Sequence, residues 1–452
     1  MKQTYKLSLT LVIISLLAPH GSMRAESETP YRTFSESELW WRRFSDTTLE
    51  RLVAHSIDNN YDIAMAVRKV EMSRLSMMQA KGGYYPTLSA TAGWEKQRGS
   101  AYTYARRTEV TAQNDYTLSA ATSWEIDLFG KIRAKVKEEK AGWHATRAEY
   151  ESTMISVAAQ TAQAYLQLRM YQAELEVAQR LTASEDSVVK IAVARHECAL
   201  ASGLDVAQAK TSYYSTKASI PALQNSIAAS INSLSLLTGI SHDDLQEMMD
   251  EGEGIPRYLG NVESDIPMDL LRRRPDVMAA EYEIAGYAAA LGVAEKDFLP
   301  TLSLSASIGT LAHSPKDLVK HDAMTYSITP TLTWTIFSGM TRKYAVAEAE
   351  EQMMIGIDNY NLTLLTAREE ALNAISQYKH SSARGELLLM AVKESKLAYD
   401  LALDQYKQGL SEFVNVLNAQ ISLLNYSNEL IEAEGNAQLA VIQLFQAVGG
   451  GF

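Results

Sequence analysis

One cysteine, Cys198, stands among the 452 residues, so no intrachain disulfide can form and no disulfide framework supports the fold. A lone thiol of this kind is expected to sit buried and inert. Catalytic patterns are also missing. The eight histidines are scattered, none in HExxH spacing, and there is no GxSxG, Walker-type or GxGxxG loop. Nothing here asks for an enzyme or a cofactor. His242-Asp243-Asp244 is the one grouping that suggests a metal, and in an acidic linker it reads as solvated charge. Positive charge is in deficit too, with 42 Lys and Arg against 54 Asp and Glu and a net charge of −12, which argues against a nucleic-acid partner.

Long apolar runs are absent beyond the start of the chain. Residues 1–25 read as a secretory signal, with Lys2 and Lys6 ahead of an apolar run from Leu7 to Ala18 and small or polar residues up to Ala25. Removing them takes away Lys2, Lys6 and Arg24 and no acid, so the charge falls from −12 to −15. No cysteine follows the run, so lipid attachment at a new N-terminal cysteine is excluded. After it no stretch of 18 or more apolar residues occurs, so no spanning helix is available. If the protein crosses a membrane it does so as a closed barrel, because open strand edges are not tolerated in hydrocarbon.

What is present is alternation. Tyr326, Ile328, Pro330, Leu332, Trp334 and Ile336 alternate with Ser327, Thr329, Thr331, Thr333 and Thr335, giving one apolar and one hydroxyl face. Tyr116, Leu118, Ala120, Trp124, Ile126 and Leu128 do the same against Thr117, Ser119, Ser123, Glu125 and Asp127. Two further strands are expected at Leu88–Trp94 and Leu302–Ile308. Such strands fit a barrel with a lipid-facing exterior and a wet lumen. Trp94, Tyr116, Trp124, Tyr326 and Trp334 are then membrane-interface aromatics, since eight residues of tilted strand rise roughly 20 Å, close to the apolar band.

Each second strand leads into helical sequence. From Lys131 to Ser202 the only Gly or Pro is Gly142, and about 70 residues of helix make a rod of roughly 100 Å. The order then repeats. Tyr85-Pro86-Thr87-Leu88-Ser89 recurs as Leu299-Pro300-Thr301-Leu302-Ser303, and 124 to 334, 205 to 415 and 239 to 449 are all intervals of 210 linking Trp with Trp, Asp with Asn and Gly with Gly. The expected organisation is a signal (1–25), a first repeat (26–239, strands at about 86–128, helical hairpin 130–239), an acidic linker (240–266) and a second repeat (267–452, strands at about 300–337, helical hairpin 339–448). Four strands cannot close a barrel, and small bacterial barrels start at eight, so oligomerisation is required; three chains give twelve.

Leu270-Leu271-Arg272-Arg273-Arg274-Pro275-Asp276, Trp124-Glu125-Ile126-Asp127-Leu128-Phe129-Gly130, Phe298-Leu299-Pro300-Thr301-Leu302 and the ending Gly449-Gly450-Gly451-Phe452 together resemble the TolC-like outer-membrane efflux proteins over nearly all of the mature chain. The resemblance implies an α+β membrane protein of a Gram-negative outer membrane with a long periplasmic extension. It implies a homotrimer whose twelve-stranded β-barrel continues into a twelve-helix α-barrel of coiled-coil hairpins. Such a protein is a passive duct for an inner-membrane transporter, docked through a periplasmic adaptor (membrane fusion) protein. Runners-up are the duct of a type I protein secretion system and, from another class, a secreted trimeric coiled-coil fibre or adhesin. Arg272–Arg274 reads as a helix cap with salt bridges rather than a phosphate site.

The resemblance also assigns the hairpin turns, Arg195–Ala209 and Gln405–Ala419, to the periplasmic tip. Ala199, Leu200, Ala201, Ser202 and Gly203 in the first turn, and Gly409, Leu410 and Ser411 in the second, become adaptor-docking residues. Ala199 stands where the second turn has Gly409, and altered geometry is expected there because alanine tolerates positive φ poorly. Well-known members narrow the pore with acids at the positions of Asn415 and Asn418. Amides there imply an entrance held by hydrogen bonding and packing, with Asp205 and Tyr406 as cross-helix partners.

Overall fold

Side-chain caps open the first two α-helices. In a computed structural model that describes residues 39–100, 111–249, 254–260, 262 and 268–450, Asp46 Oδ1 accepts from the Leu49 amide at 2.8 Å and opens α1 (Thr47–Asn59). Asn60 Oδ1 accepts from the Asp62 and Ile63 amides and opens α2 (Tyr61–Gly82). The expected signal at 1–25, the acids Asp250, Glu251 and Glu253, and Gly451-Phe452 lie outside the described residues.

Strands β1 (Thr87–Gln97), β2 (Gln113–Ile126), β3 (Thr301–Ala312) and β4 (Met324–Thr333) form one antiparallel sheet in the order β1-β2-β3-β4. Strand β2 therefore pairs with β3 from far along the chain, and β1 and β4 are both edges. The register confirms one apolar face. Trp94 lies opposite Tyr116, Ala92 opposite Leu118, Ala120 opposite Ile308, Trp124 opposite Leu304, Leu302 opposite Leu332 and Ala306 opposite Ile328. The other face is hydroxyl-rich, with Ser123 opposite Ser305 and Ser303 opposite Thr331. Expected strand ends shift: β2 begins at Gln113 and stops at Ile126, and β4 stops at Thr333. Trp334 and Ile336 fall beyond it because β3 starts at Thr301, the partner of Thr333.

The Asp127 carboxylate, just past β2, accepts from the Ile132 and Arg133 amides at 3.0 Å and starts α3 (Lys131–Glu197, 67 residues). Its return, α4 (Gly203–Thr238), runs through Pro221 and ends on Gly239 at φ +73°. The acidic linker contains a short helix that was not expected, α5 (His242–Met249), which buries Leu245 and Met249, spaced one helical turn apart. After α6 (Met268–Leu271), α7 (Pro275–Lys296) precedes β3, and β4 leads to α8 (Thr341–Gln408, 68 residues) and α9 (Phe413–Ala447).

On α9, Ala433, Ala437, Ala440, Val441, Ile442, Leu444 and Phe445 are buried among the neighbouring helices. Trp40 stacks on Phe445 at 5.4 Å, and Tyr258 meets Phe445 at 5.6 Å, so the early aromatic cluster clasps the last helix. Arg274 is a structural clamp: its guanidinium donates to both Asp276 carboxylate oxygens, to Glu370 and to the Ala447 carbonyl. Asn60 makes the corresponding reach in the first half, donating to the Leu237 carbonyl at 3.0 Å.

Candidate functional site

Two regions present chemistry that the fold itself leaves unpartnered. The first is the apolar sheet face. Leu88 (72%), Trp94 (62%), Tyr326 (77%) and Ile328 (71%) are exposed to this degree within one chain, far more than strand apolar side chains tolerate in water. Both lower tryptophans are held alike, the Trp124 indole N–H donating to the Tyr84 carbonyl at 3.1 Å and that of Trp334 to the Phe298 carbonyl at 2.9 Å. Tyr116 and Trp124 are eight positions apart on β2, as Tyr326 and Trp334 are along the β4 path. Tyr326 faces Ile308, four positions from the Tyr116 partner Ala312, and Trp124 shares its register with Leu304 and Pro330, four from Trp334. An equal offset at both ends is the stagger of a tilted sheet.

The second region is the pair of hairpin turns. At the end of α3 the Leu200 amide donates to the Arg195 carbonyl at 2.8 Å and the Ala199 amide to that of His196 at 2.9 Å. At the end of α8 the Leu410 amide donates to the Gln405 carbonyl at 2.8 Å and the Gly409 amide to that of Tyr406 at 3.0 Å. Ala199 takes φ +58° and Gly409 φ +77°. The expectation of an altered first turn is thus overturned: alanine adopts the left-handed form, at a cost of roughly 1–2 kcal/mol, because the paired helix-end hydrogen bonds hold it there. Cys198, expected to be buried, is exposed: it is the C-cap residue just past the end of α3, where the chain leaves the helix for the turn.

Arg195 joins the turns. Its Nη1 donates to the Lys407 carbonyl at 2.9 Å, its Nη2 to the Leu200 carbonyl at 3.3 Å, and its guanidinium carbon lies 4.8 Å from the Tyr406 ring centre. Ser202 Oγ accepts from the Asp205 amide at 3.2 Å and donates to the Asp205 carboxylate, capping α4, whereas Glu412 at the same place before α9 makes no side-chain cap. Tyr406 donates to Asp205 Oδ2 at 3.4 Å, so the two residues expected to be partners across helices do meet. Burial first, and then the neighbouring Asp205 carboxylate, push the Tyr406 phenol above its ordinary range. Asn415 donates to Ser411 on its own turn, and Asn418 is exposed. Leu200, Leu410 and Gly203 are exposed as well, and Ala201 lies beside them with its carbonyl against His196.

Above the tips a cluster of Val188, Ala192, Ala209, Tyr399, Tyr406, Phe413 and Val416 packs all four long helices together. Sequence reasoning missed Arg195 and the buried Glu185, since neither stands in a pattern. Among the described residues no cluster of His, Cys, Asp and Glu could hold a metal, and the His242 ring faces Asn232 Oδ1 at 3.0 Å.

The chain matches the model of a family described as outer membrane efflux protein over residues 52–240 and 266–450. It is 26% identical over 432 residues to the probable efflux pump outer membrane protein TtgC of Pseudomonas putida, covering 95% of this chain and 88% of that one. It is 26% identical to nodulation protein T of Rhizobium leguminosarum, covering 96% and 90%. Among solved structures, the outer-membrane channel OprN aligns with a TM-score of 0.86 at 26% identity, over 93% of this chain and 94% of that one. VceC of Vibrio cholerae aligns at 0.83 and 25% identity, over 93% and 100%.

Proposed function

The chain belongs to the outer membrane efflux protein family, and from that premise we propose that three copies form a passive duct from the periplasm to the exterior. The three four-stranded sheets close into a twelve-stranded barrel, and the long helices of the two hairpins in each chain continue it as a twelve-helix tube reaching into the periplasm. The chain divides into two repeats, 26–239 and 267–452, joined by the segment 240–266. Two matched stretches separated by that linker, and the paired roles of Trp124 with Trp334 and Asn60 with Arg274, support that division.

The observation that carries the reading is the sheet: one face apolar from the Trp94–Tyr116 pair down but for Thr122 and Thr310, one hydroxyl-rich face, and two open edges, β1 and β4, in a single chain. Only closure with sister copies satisfies edges in hydrocarbon. Exposed Leu387, Met390, Leu397 and Leu401 on α8 support burial of a helix face by the same assembly. The hairpin tips, with Ala199–Gly203 and Gly409–Ser411, dock a periplasmic adaptor that links the duct to an inner-membrane transporter. Asn415 and Asn418 line the narrowest point, braced by Asp205 and Tyr406. Relatives named for toluene, solvent and antibiotic efflux favour small molecules as cargo.

Reconstitution tests this. The purified protein is expected to run as a heat-sensitive trimer from outer-membrane fractions and to conduct ions in a planar bilayer. A detergent-free monomer with its sheet folded in water would overturn the reading.

A further inference from the structure

Glu185 is 1% exposed on α3, about 20 Å above the tip by helical rise. Its Oε1 accepts from Ser212 at 3.1 Å and Thr216 at 2.9 Å, both on α4, and from Gln420 Nε2 on α9. Its Oε2 is buried with no partner. One oxygen therefore gathers every donor while the other faces none. No cation pairs with Glu185 among the described residues. From α8 the facing titratable group is the Tyr399 hydroxyl, itself bonded to Ser184 at 3.0 Å, with Asp400 beyond it. On α4, Lys217 is engaged by Tyr213, and on α3, Asp186 is engaged by Lys190. From α9 the facing group is the neutral Gln420 amide, which also donates to Ser212 at 3.0 Å.

We propose that Glu185 is a proton-operated clamp between the two hairpins. With a solvent proton on Oε2 the side chain is neutral and α3 and α4 stay seated on α9. With the charge in place Oε2 must be hydrated, and water reaches it only if α3 and α4 separate from α9. The other polar ties between the hairpins, Arg195 to the Lys407 carbonyl, Tyr406 to Asp205 and Ser184 to Tyr399, do not bury an acid. Proton linkage sets the direction. Burial holds the Glu185 carboxyl above its ordinary range, so the seated arrangement binds more protons than the parted one. Its advantage is full at low pH and is lost as pH rises through the raised value. On the duct reading, acid tightens the wall just above the entrance and neutral conditions loosen it.

Amide exchange on the full-length assembled protein tests the clamp, read at about pH 5 and about pH 8 and corrected for intrinsic exchange. In the wild type, peptides covering residues 180–190, 208–218 and 416–424 are expected to exchange at least about threefold faster at the higher pH. In Glu185→Gln they should be equally slow at both. The same pH ratio in wild type and Glu185→Gln overturns the clamp. If Glu185→Gln does not assemble, Thr216→Val removes one donor to the carboxylate and should move the midpoint of the exchange profile to higher pH; an unmoved midpoint overturns the clamp equally. Bilayer conductance on the same samples separates the readings: a conducting protein without Glu185-dependent exchange sinks the clamp alone. An absence of conductance sinks the duct, and the exchange data still decide the clamp.

Discussion

The two hairpin turns share a backbone and differ in everything hung on it. Both close with the same pair of amide-to-carbonyl bonds and a left-handed residue. The first turn is rich in ties, because Arg195 reaches across to the second turn and Ser202 caps the returning helix. The second receives only the Arg195 bond, at the Lys407 carbonyl, and its own return helix starts uncapped at Glu412. Identical geometry therefore does not mean identical strength. The first turn holds the pair together, and the second, with its glycine and its exposed amides, is the side free to change.

Four sets of substitutions probe that contrast, in descending order of effect. Placing acids in the second turn, Asn415→Asp with Asn418→Asp, should create block of single-channel current by a multivalent cation at concentrations about a hundredfold below those affecting the wild type; strong block already present in the wild type, and abolished by changing the amides, would show that they act as a cation site. Arg195→Ala removes two charge-assisted bonds and the contact with the Tyr406 ring. It should lower the local opening free energy of both turns by about 2 kcal/mol in amide exchange; loss confined to the first turn would deny the cross-tie. Ser202→Ala should cost the start of α4 about 1 kcal/mol, with no change around Phe413. Ala199→Gly relieves the left-handed strain but frees the unfolded chain, so a gain of about 0.5 kcal/mol is expected by the same readout; a loss would mean that the alanine methyl makes a contact worth more than its strain.

The sheet was legible in advance because a period of two, with hydroxyls on one side and apolar residues on the other, is the period of a strand and of no helix. The long helices were legible from the scarcity of Gly and Pro. Tip chemistry was not. Whether Cys198 is covered depends on where the neighbouring helix ends, and no feature of residue 198 itself carries that information. Glu185 lies in a helix where charged residues recur every few positions; only the approach of Ser212, Thr216 and Gln420 from two other helices singles it out. The α5 helix, by contrast, was readable: Leu245 and Met249 carried its spacing within the acidic run, and the density of acids masked it.

Pairing of β2 with β3 joins residues as far apart as Tyr116 and Ala312. That contact cannot form until the ribosome has delivered the whole first hairpin, the linker and the next strand. Until then β2 is paired on one side only, with β1, and its other edge is open to wrong partners. A join across so much chain is the kind that folds slowly, and it lies at the centre of the sheet rather than at its rim.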